Sequence, residues 1–177
     1  MRENNFVFKK LEPTDNVDSF HCSDEDLNDF LLTEAKDYQR ELLAVTYLLL
    51  DPGTNAIVAY YSLLCDHVQF DKDSKKARNY INRRVLFSKQ RNHYPAMKLG
   101  RLAVDVHYAH QGIGMLIMEA IKTALTSNPR FGCKILTVDA YAAALGFYES
   151  CGFRYFTETD EGDETRLMFY DLKNFLG

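Results

Sequence analysis

The sequence predicts a mixed α/β fold in which strands and helices alternate around a largely buried sheet. Three observations carry that reading. An apolar, β-favouring run that ends at Val106 passes through a short polar connection into two glycines and an amphipathic helix. Short strand-like runs bounded by turn-forming residues recur on both sides of that unit. With 46% hydrophobic and 26% charged residues the composition is that of an ordinary globular protein. No apolar run approaches the about 18 residues that span a bilayer. At 177 residues, with no repeat and no linker, a single domain over residues 1–177 is expected.

Taken in order, Phe6 to Leu11 alternates as a first strand. Ser23 is placed to cap a helix, with Asp26 able to reach back and Asp24 and Glu25 favoured by the dipole. Leu27, Phe30, Leu31, Ala35 and Tyr38 mark one face of that helix as far as about Arg40. Strands follow at Val45 to Leu50 and Ala56 to Cys65, joined by the turn Asp51-Pro-Gly-Thr-Asn. Phe70 to Tyr94 reads as a long functional loop holding at most one short helix. Pro95 precedes a central strand, Met97 to Val106. The next helix carries Ile113, Leu116, Ile117, Ala120, Ile121 and Ala124 as one apolar stripe and stops at Asn128-Pro129. A strand at Cys133 to Val138 and a helix from about Ala142 to Ser150 follow, with Gly152 placed for a left-handed cap. Strands at Phe153 to Thr157 and Arg166 to Leu172 flank an acidic turn around Gly162.

Cys22, Cys65, Cys133 and Cys151 form no Cys-x-x-Cys pair, so no metal is expected. Each reads as a small buried or half-buried residue kept reduced. The N-terminus lacks the apolar core of a signal peptide. A cytoplasmic protein of bacterial style, without a membrane role, is expected.

Two features point to chemistry. A strand entering a glycine-rich turn at a helix start makes an anion site, because the first N–H groups are unpaired, the dipole is positive and glycine admits a phosphate. Gln111 to Met115 is therefore read as a pyrophosphate cradle. The net charge of −4 also hides an asymmetry. Ten of the 21 basic residues lie between Lys72 and Arg101, opposed only by Asp73. Such a segment can attract an anionic partner; a solvated loop that balances charge explains it equally well.

The run His-Gln-Gly-Ile-Gly-Met resembles the acetyl-CoA loop of the GNAT superfamily of N-acetyltransferases, Gln/Arg-x-x-Gly-x-Gly/Ala, with Gly112 and Gly114 as its glycines. Ala109 stands where that pattern has Gln or Arg. The segment Ala144-Leu-Gly-Phe-Tyr-Glu-Ser-Cys-Gly-Phe153 resembles the superfamily's second motif through Ala144, Phe147, Tyr148, Gly152 and Phe153. Together they imply the GNAT fold, a central, mostly antiparallel mixed sheet of six to seven strands flanked by about four helices. They also imply an acetyl-CoA-dependent N-acetyltransferase in which a primary amine attacks the thioester directly.

By resemblance, Tyr148 is the general acid for the leaving thiolate. The backbones of Leu102, Ala103 and Val104 hold the pantetheine arm, and one of their N–H groups polarises the carbonyl. Ala109, His110, Gln111, Gly112, Ile113, Gly114 and Met115 form the loop around the cofactor. Tyr141 stands where the family often has Asn on the pantetheine arm. Asp105, His107 and His110 are near enough in sequence to be considered as a base, though each reads more simply as a turn or surface residue.

A narrower likeness concerns the acceptor. Phe20-x-Cys22-x-x-x-x-Leu27-Asn28-x-Phe30-Leu31, with Leu99-Gly-Arg-Leu-Ala-Val-Asp105, is similar to the GNAT toxins of bacterial toxin–antitoxin pairs, which acetylate the α-amino group of aminoacyl-tRNA. That likeness makes tRNA and an antitoxin protein candidate partners. Arg83, Arg84, Lys89, Arg91 and Arg101 become candidate substrate contacts. The sequence pI of about 5.7 argues instead for a small amine or peptide as acceptor. A homodimer and a non-catalytic acyl-CoA sensor are further alternatives, the latter opposed by the presence of Tyr148.

Overall fold

A computed structural model describes residues 6–83, 85–127 and 129–177. Arg84 and Asn128, both singled out above, lie outside the described residues. Seven strands are ordered β1-β2-β3-β4-β5-β7-β6: β1 (Val7–Lys10), β2 (Val45–Leu50), β3 (Ile57–Gln69), β4 (His93–Val104), β5 (Ile135–Tyr141), β6 (Arg154–Tyr155) and β7 (Thr165–Asp171). β1, β2 and β3 pair antiparallel, as do β5, β7 and β6, while β4 and β5 run parallel. The chain divides into two compact units, Met1–Leu64 with Leu99–Ile117 and Cys65–Lys98 with Met118–Gly177.

In the first unit, helix α1 runs as Glu25–Asp29, a π turn Phe30–Glu34 and Ala35–Arg40. The cap is Asp24, not Ser23. Asp24 is extended and its carboxylate accepts from the Leu27 N–H at 3.2 Å. The residues ahead of it are fixed by Asn28, whose side chain accepts from the Cys22 N–H (2.8 Å) and donates to the Cys22 carbonyl (3.0 Å). The π turn explains the apolar spacing. The Ala35 N–H bonds the Phe30 carbonyl five residues back, which keeps Phe30, Leu31 and Ala35 all buried. Phe30 and Phe20 close on Tyr60 at 6.2 and 5.3 Å between ring centres. Each such ring pair contributes about 0.5–1.5 kcal/mol beyond its burial. Gly100 permits the close passage of β3 and β4, since a Cβ there would meet the Leu64 side chain at 2.8 Å.

In the second unit Phe70 to Tyr94 contains the one short helix expected there but is less of a loop than expected. It holds helix α2 (Lys75–Asn82), a 3-10 turn (Phe87–Lys89) and the start of β4. Pro95 lies inside β4 rather than before it. Its carbonyl still accepts from the Lys134 N–H at 3.1 Å, so only a donor is lost. Phe70 stacks on Phe156 at 5.4 Å, and Ala77 and Ile81 of α2 are buried in the same cluster. The last strands are displaced from expectation: the one placed at Phe153 to Thr157 is only two residues long, and the next starts at Thr165.

Helix α3 (Ile113–Thr126) buries Ile113, Ile117, Met118, Ile121 and Lys122, whereas Leu116 is 40% exposed and Ala124 is exposed. The stripe is thus rotated from the expected one. A lysine can join it because its ammonium donates to Glu119 (3.0 Å) and the Cys151 carbonyl (2.9 Å) and lies 4.4 Å from the Tyr170 ring centre. Cys65 is exposed on β3, contrary to expectation, because strand side chains alternate between faces. None of the four cysteines is in a disulfide. No helix among the described residues is long and apolar enough to cross a membrane.

Candidate functional site

The turn from β4 into α3 is built on one buried carboxylate. Asp105, only 4% exposed, accepts from the His21 N–H (3.0 Å), the His107 N–H (2.9 Å) and His107 Nδ1 (2.9 Å). Burial alone would push its carboxyl up; the N–H groups of His107 and His21 hold it below the ordinary carboxylate value instead. Its own N–H bonds the Val58 carbonyl at 2.9 Å, and the Gln111 amide closes the turn on the His107 carbonyl at 3.0 Å. Asp105 is therefore a scaffold for the turn. The His107 side chain is largely exposed.

Beyond this scaffold the backbone becomes left-handed at His110 (φ 59°) and Gly112 (φ 79°). A Cβ at Gly112 would meet nothing within 4 Å, so the glycine serves conformation and leaves open space before the helix. The Leu116 N–H bonds the Gly112 carbonyl at 3.1 Å as the first helical bond. A 14-residue helix thus begins beside a bare glycine, and the N–H groups of Ile113 and Gly114 that open it precede the first intrahelical bond. Ala109, His110, Gln111, Gly112, Ile113, Gly114 and Met115 all lie on this turn or the first turn of α3. Leu102, Ala103 and Val104 end β4. The open space at Gly112 and the donor set fit a diphosphate.

Arg101, on the same strand, is partly buried. Its guanidinium lies 4.9 Å from the Phe30 ring centre, and Nη1 donates to the Gly100 carbonyl at 2.9 Å. Its buried Nε has no hydrogen-bond partner among the described residues.

The second motif has a physical cause in its own unit. Helix α4 (Leu145–Ser150) follows a 3-10 turn (Ala142–Ala144), and Gly152 takes φ 87° just past its end. The Gly152 and Phe153 N–H groups bond the carbonyls of Glu149 (2.9 Å) and Tyr148 (3.0 Å). That reversal returns Phe153 onto Tyr148, 5.5 Å between ring centres, and the Phe147 ring lies 5.1 Å from it. Tyr148 is 7% exposed, and burial pushes its phenol well above the ordinary tyrosine value. It is a fully protonated donor at neutral pH. Tyr141, at the end of β5, is 46% exposed.

The basic run is sorted by the fold. Arg78, Arg83 and Arg91 line a cleft of about 710 Å³ together with Asn79, Asn82, Gln90, Asn92, Val85 and Phe87. Its wall is pinned by the Tyr94 hydroxyl on Asn82 (2.7 Å) and by the Gln90 amide on the carbonyls of Asn82 and Val85. The Arg83 guanidinium lies 4.8 Å from the Tyr80 ring centre. Lys89 is not in this cleft; it lines a separate apolar groove. Arg78 belongs to the basic run but not to the candidate contacts chosen from it, and the amide side chains carry no sequence signal, since no motif marks residues that meet only through folding.

Residues 57–155 match the family model of the acetyltransferase (GNAT) domain. Among solved structures, a tyrosine-to-phenylalanine mutant of KacT is similar with a TM-score of 0.76 and 20% identity, over 97% of each chain. AtaT complexed with acetyl-methionyl-tRNAfMet matches with a TM-score of 0.73 and 22% identity, over 97% of this chain and 98% of that one. A mutant AtaT toxin bound to the C-terminus of the antitoxin AtaR and acetyl-CoA matches with a TM-score of 0.70 and 22% identity, over 96% and 94%.

Proposed function

The chain belongs to the GNAT acetyltransferase family, and on that premise we propose that its acceptor is the α-amino group of an aminoacylated tRNA. The observation that carries this reading is the cleft of Arg78, Arg83 and Arg91, three guanidiniums interleaved with four amide side chains and an exposed phenylalanine. Guanidiniums suit phosphate oxygens, amides suit sugar and base edges, and an aromatic face suits an unstacked base. The likeness to AtaT complexed with acetyl-methionyl-tRNAfMet supports the same acceptor. An antitoxin-like protein partner and a cytoplasmic, bacterial setting, with the chain acting as one acetyltransferase domain, complete the reading.

Acetyl-CoA supplies an activated acetyl group as its thioester. In this proposal the N–H groups from Gly112 to Gly114 bind its diphosphate, flanked by Ala109, His110, Gln111 and Met115. The backbones of Leu102, Ala103 and Val104 orient the arm, and Tyr141 is kept as a further candidate contact to it. One of their N–H groups stabilises the oxyanion that forms when the amine attacks. Tyr148, kept protonated by burial, gives its proton to the departing sulfur. No base is assigned. An α-amino group has a pKa of about 7.7–8.0, so a useful fraction is neutral at pH 7 and its proton can leave to water.

Labelled acetyl-CoA offered with charged tRNA, the free amino acid and a lysine-containing peptide tests the reading. The expected result is acetylated aminoacyl-tRNA formed at least tenfold more efficiently than either small product. Equal use of the free amino acid or peptide would assign a small-amine enzyme. Binding of acetyl-CoA without thiol release from any acceptor would leave only a sensor.

A further inference from the structure

One surface has no role in the acetyl transfer proposed above: a groove of about 510 Å³ within the unit formed by Cys65–Lys98 and Met118–Gly177. Leu86, Leu125, Phe131 and Leu176 line it from four places in the chain. Leu86 follows α2, Leu125 is in the last turn of α3, Phe131 precedes β5 and Leu176 ends the C-terminal 3-10 turn. Leu86, Phe131 and Leu176 are 77%, 80% and 56% exposed. Single exposed apolar side chains are ordinary, but several large ones gathered in one concavity mark a contact surface.

The rim is cationic. Lys89 and Lys173 line the same groove, both are exposed, and neither ammonium has an acidic partner among the described residues. Lys134, also on its wall, is already paired with Asp171 at 2.5 Å. An apolar floor between two uncompensated ammonium groups defines what fits: apolar side chains in the middle and carboxylates at the flanks.

We propose that this groove docks an amphipathic, acidic segment of a partner protein, with apolar side chains seated against Leu86, Leu125, Phe131 and Leu176 and carboxylates paired to Lys89 and Lys173. A second copy of the chain is a poorer occupant. A two-fold contact through this patch places the same cationic rim on both sides and opposes like charges. The proposal is independent of which amine is acetylated.

A display library of random twelve-residue peptides, selected against the full chain, tests it. Enriched peptides are expected to combine Leu, Phe or Met at helical spacing with Asp or Glu, and to bind less tightly as salt rises. In anisotropy titrations of the enriched peptides, Phe131→Glu is expected to weaken binding at least tenfold. The double variant Lys89→Glu/Lys173→Glu is expected to weaken it three- to tenfold. Both should retain the wild-type thermal transition and acetyl-CoA affinity; should Phe131→Glu fail to fold, the lysine double variant decides alone. Enriched peptides without carboxylates, or binding indifferent to these changes, would overturn the proposal. So would sedimentation showing a wild-type dimer that Phe131→Glu dissociates, which would give the groove to a second copy.

Discussion

The turn at residues 105–115 and the segment at residues 70–94 offer a charged ligand opposite kinds of contact, and in the proposed function each would hold one. The turn uses main-chain donors beside a left-handed glycine, organised by one buried carboxylate. The segment uses arginine and amide side chains on a short helix and the chain that follows it. A backbone site depends on conformation, so a single wrong φ or added charge disables it. A side-chain site is a sum of contacts, each removable by itself. The difference predicts sharp failure in one region and graded failure in the other.

The largest effect should come from the side chain proposed as the general acid. Tyr148→Phe is expected to lower kcat by about two to four decades, the usual range for a lost general acid, with acetyl-CoA affinity near normal. Because burial raises this phenol, wild-type kcat should show no alkaline loss from Tyr148 below about pH 10, the ordinary tyrosine value. An unchanged rate in the variant, measured by thiol release, would remove Tyr148 from this role.

Next in size, Gly112→Asp should weaken acetyl-CoA binding roughly ten- to a hundredfold, since it adds both left-handed strain of about 1–2 kcal/mol and a negative charge. Gly112→Ala separates the two by keeping the strain alone. Calorimetric titration showing wild-type affinity in both would place the diphosphate elsewhere. For the side-chain region, Arg83→Glu and Arg91→Glu should each weaken tRNA binding several-fold and flatten its salt dependence by about one unit of slope, adding when combined. Acetylation of a small amine should be unaffected. An all-or-none loss from either single change would erase the contrast between the regions.

What was legible in the sequence follows the same division. Glycines at Gly112 and Gly152 announce backbone conformations that few other residues adopt, so both motifs could be placed before any coordinates. The bounds of helix α2 could not, because only Ala77 and Ile81 mark its buried face, and three basic residues, two asparagines and a tyrosine fill the rest. Lys122 hid the true stripe of α3, since a buried lysine is acceptable only once Glu119, the Cys151 carbonyl and Tyr170 surround it. Ser23 and Asp24 are equally good caps in isolation; the clasp of Asn28 on Cys22 brings Asp24 into place. The basic cleft was half visible as a charge run. Its membership, Arg78 in and Lys89 out, is a property of the fold.

The smallest expected effect probes the carboxylate beneath the turn. Asp105→Asn preserves the shape but weakens three hydrogen bonds that now end on a charge, a cost of on the order of 1 kcal/mol. For a chain of 177 residues that corresponds to a fall of about 2–4 °C in Tm. The sign with pH follows from the direction of the Asp105 shift. A carboxyl held below its unfolded value of about 3.9 contributes its stability above that pH and loses it as pH falls through the folded value. The gap between wild type and variant, read by thermal melts across a pH series, should therefore be full at pH 6 and close below about pH 4. Acetyl-CoA affinity should fall in step with that gap, because the donors at Gly112 are held in place by the same turn, whereas tRNA binding through Arg83 and Arg91 should not move. A stability gap independent of pH would mean that the ionised state of Asp105 contributes nothing to holding the turn.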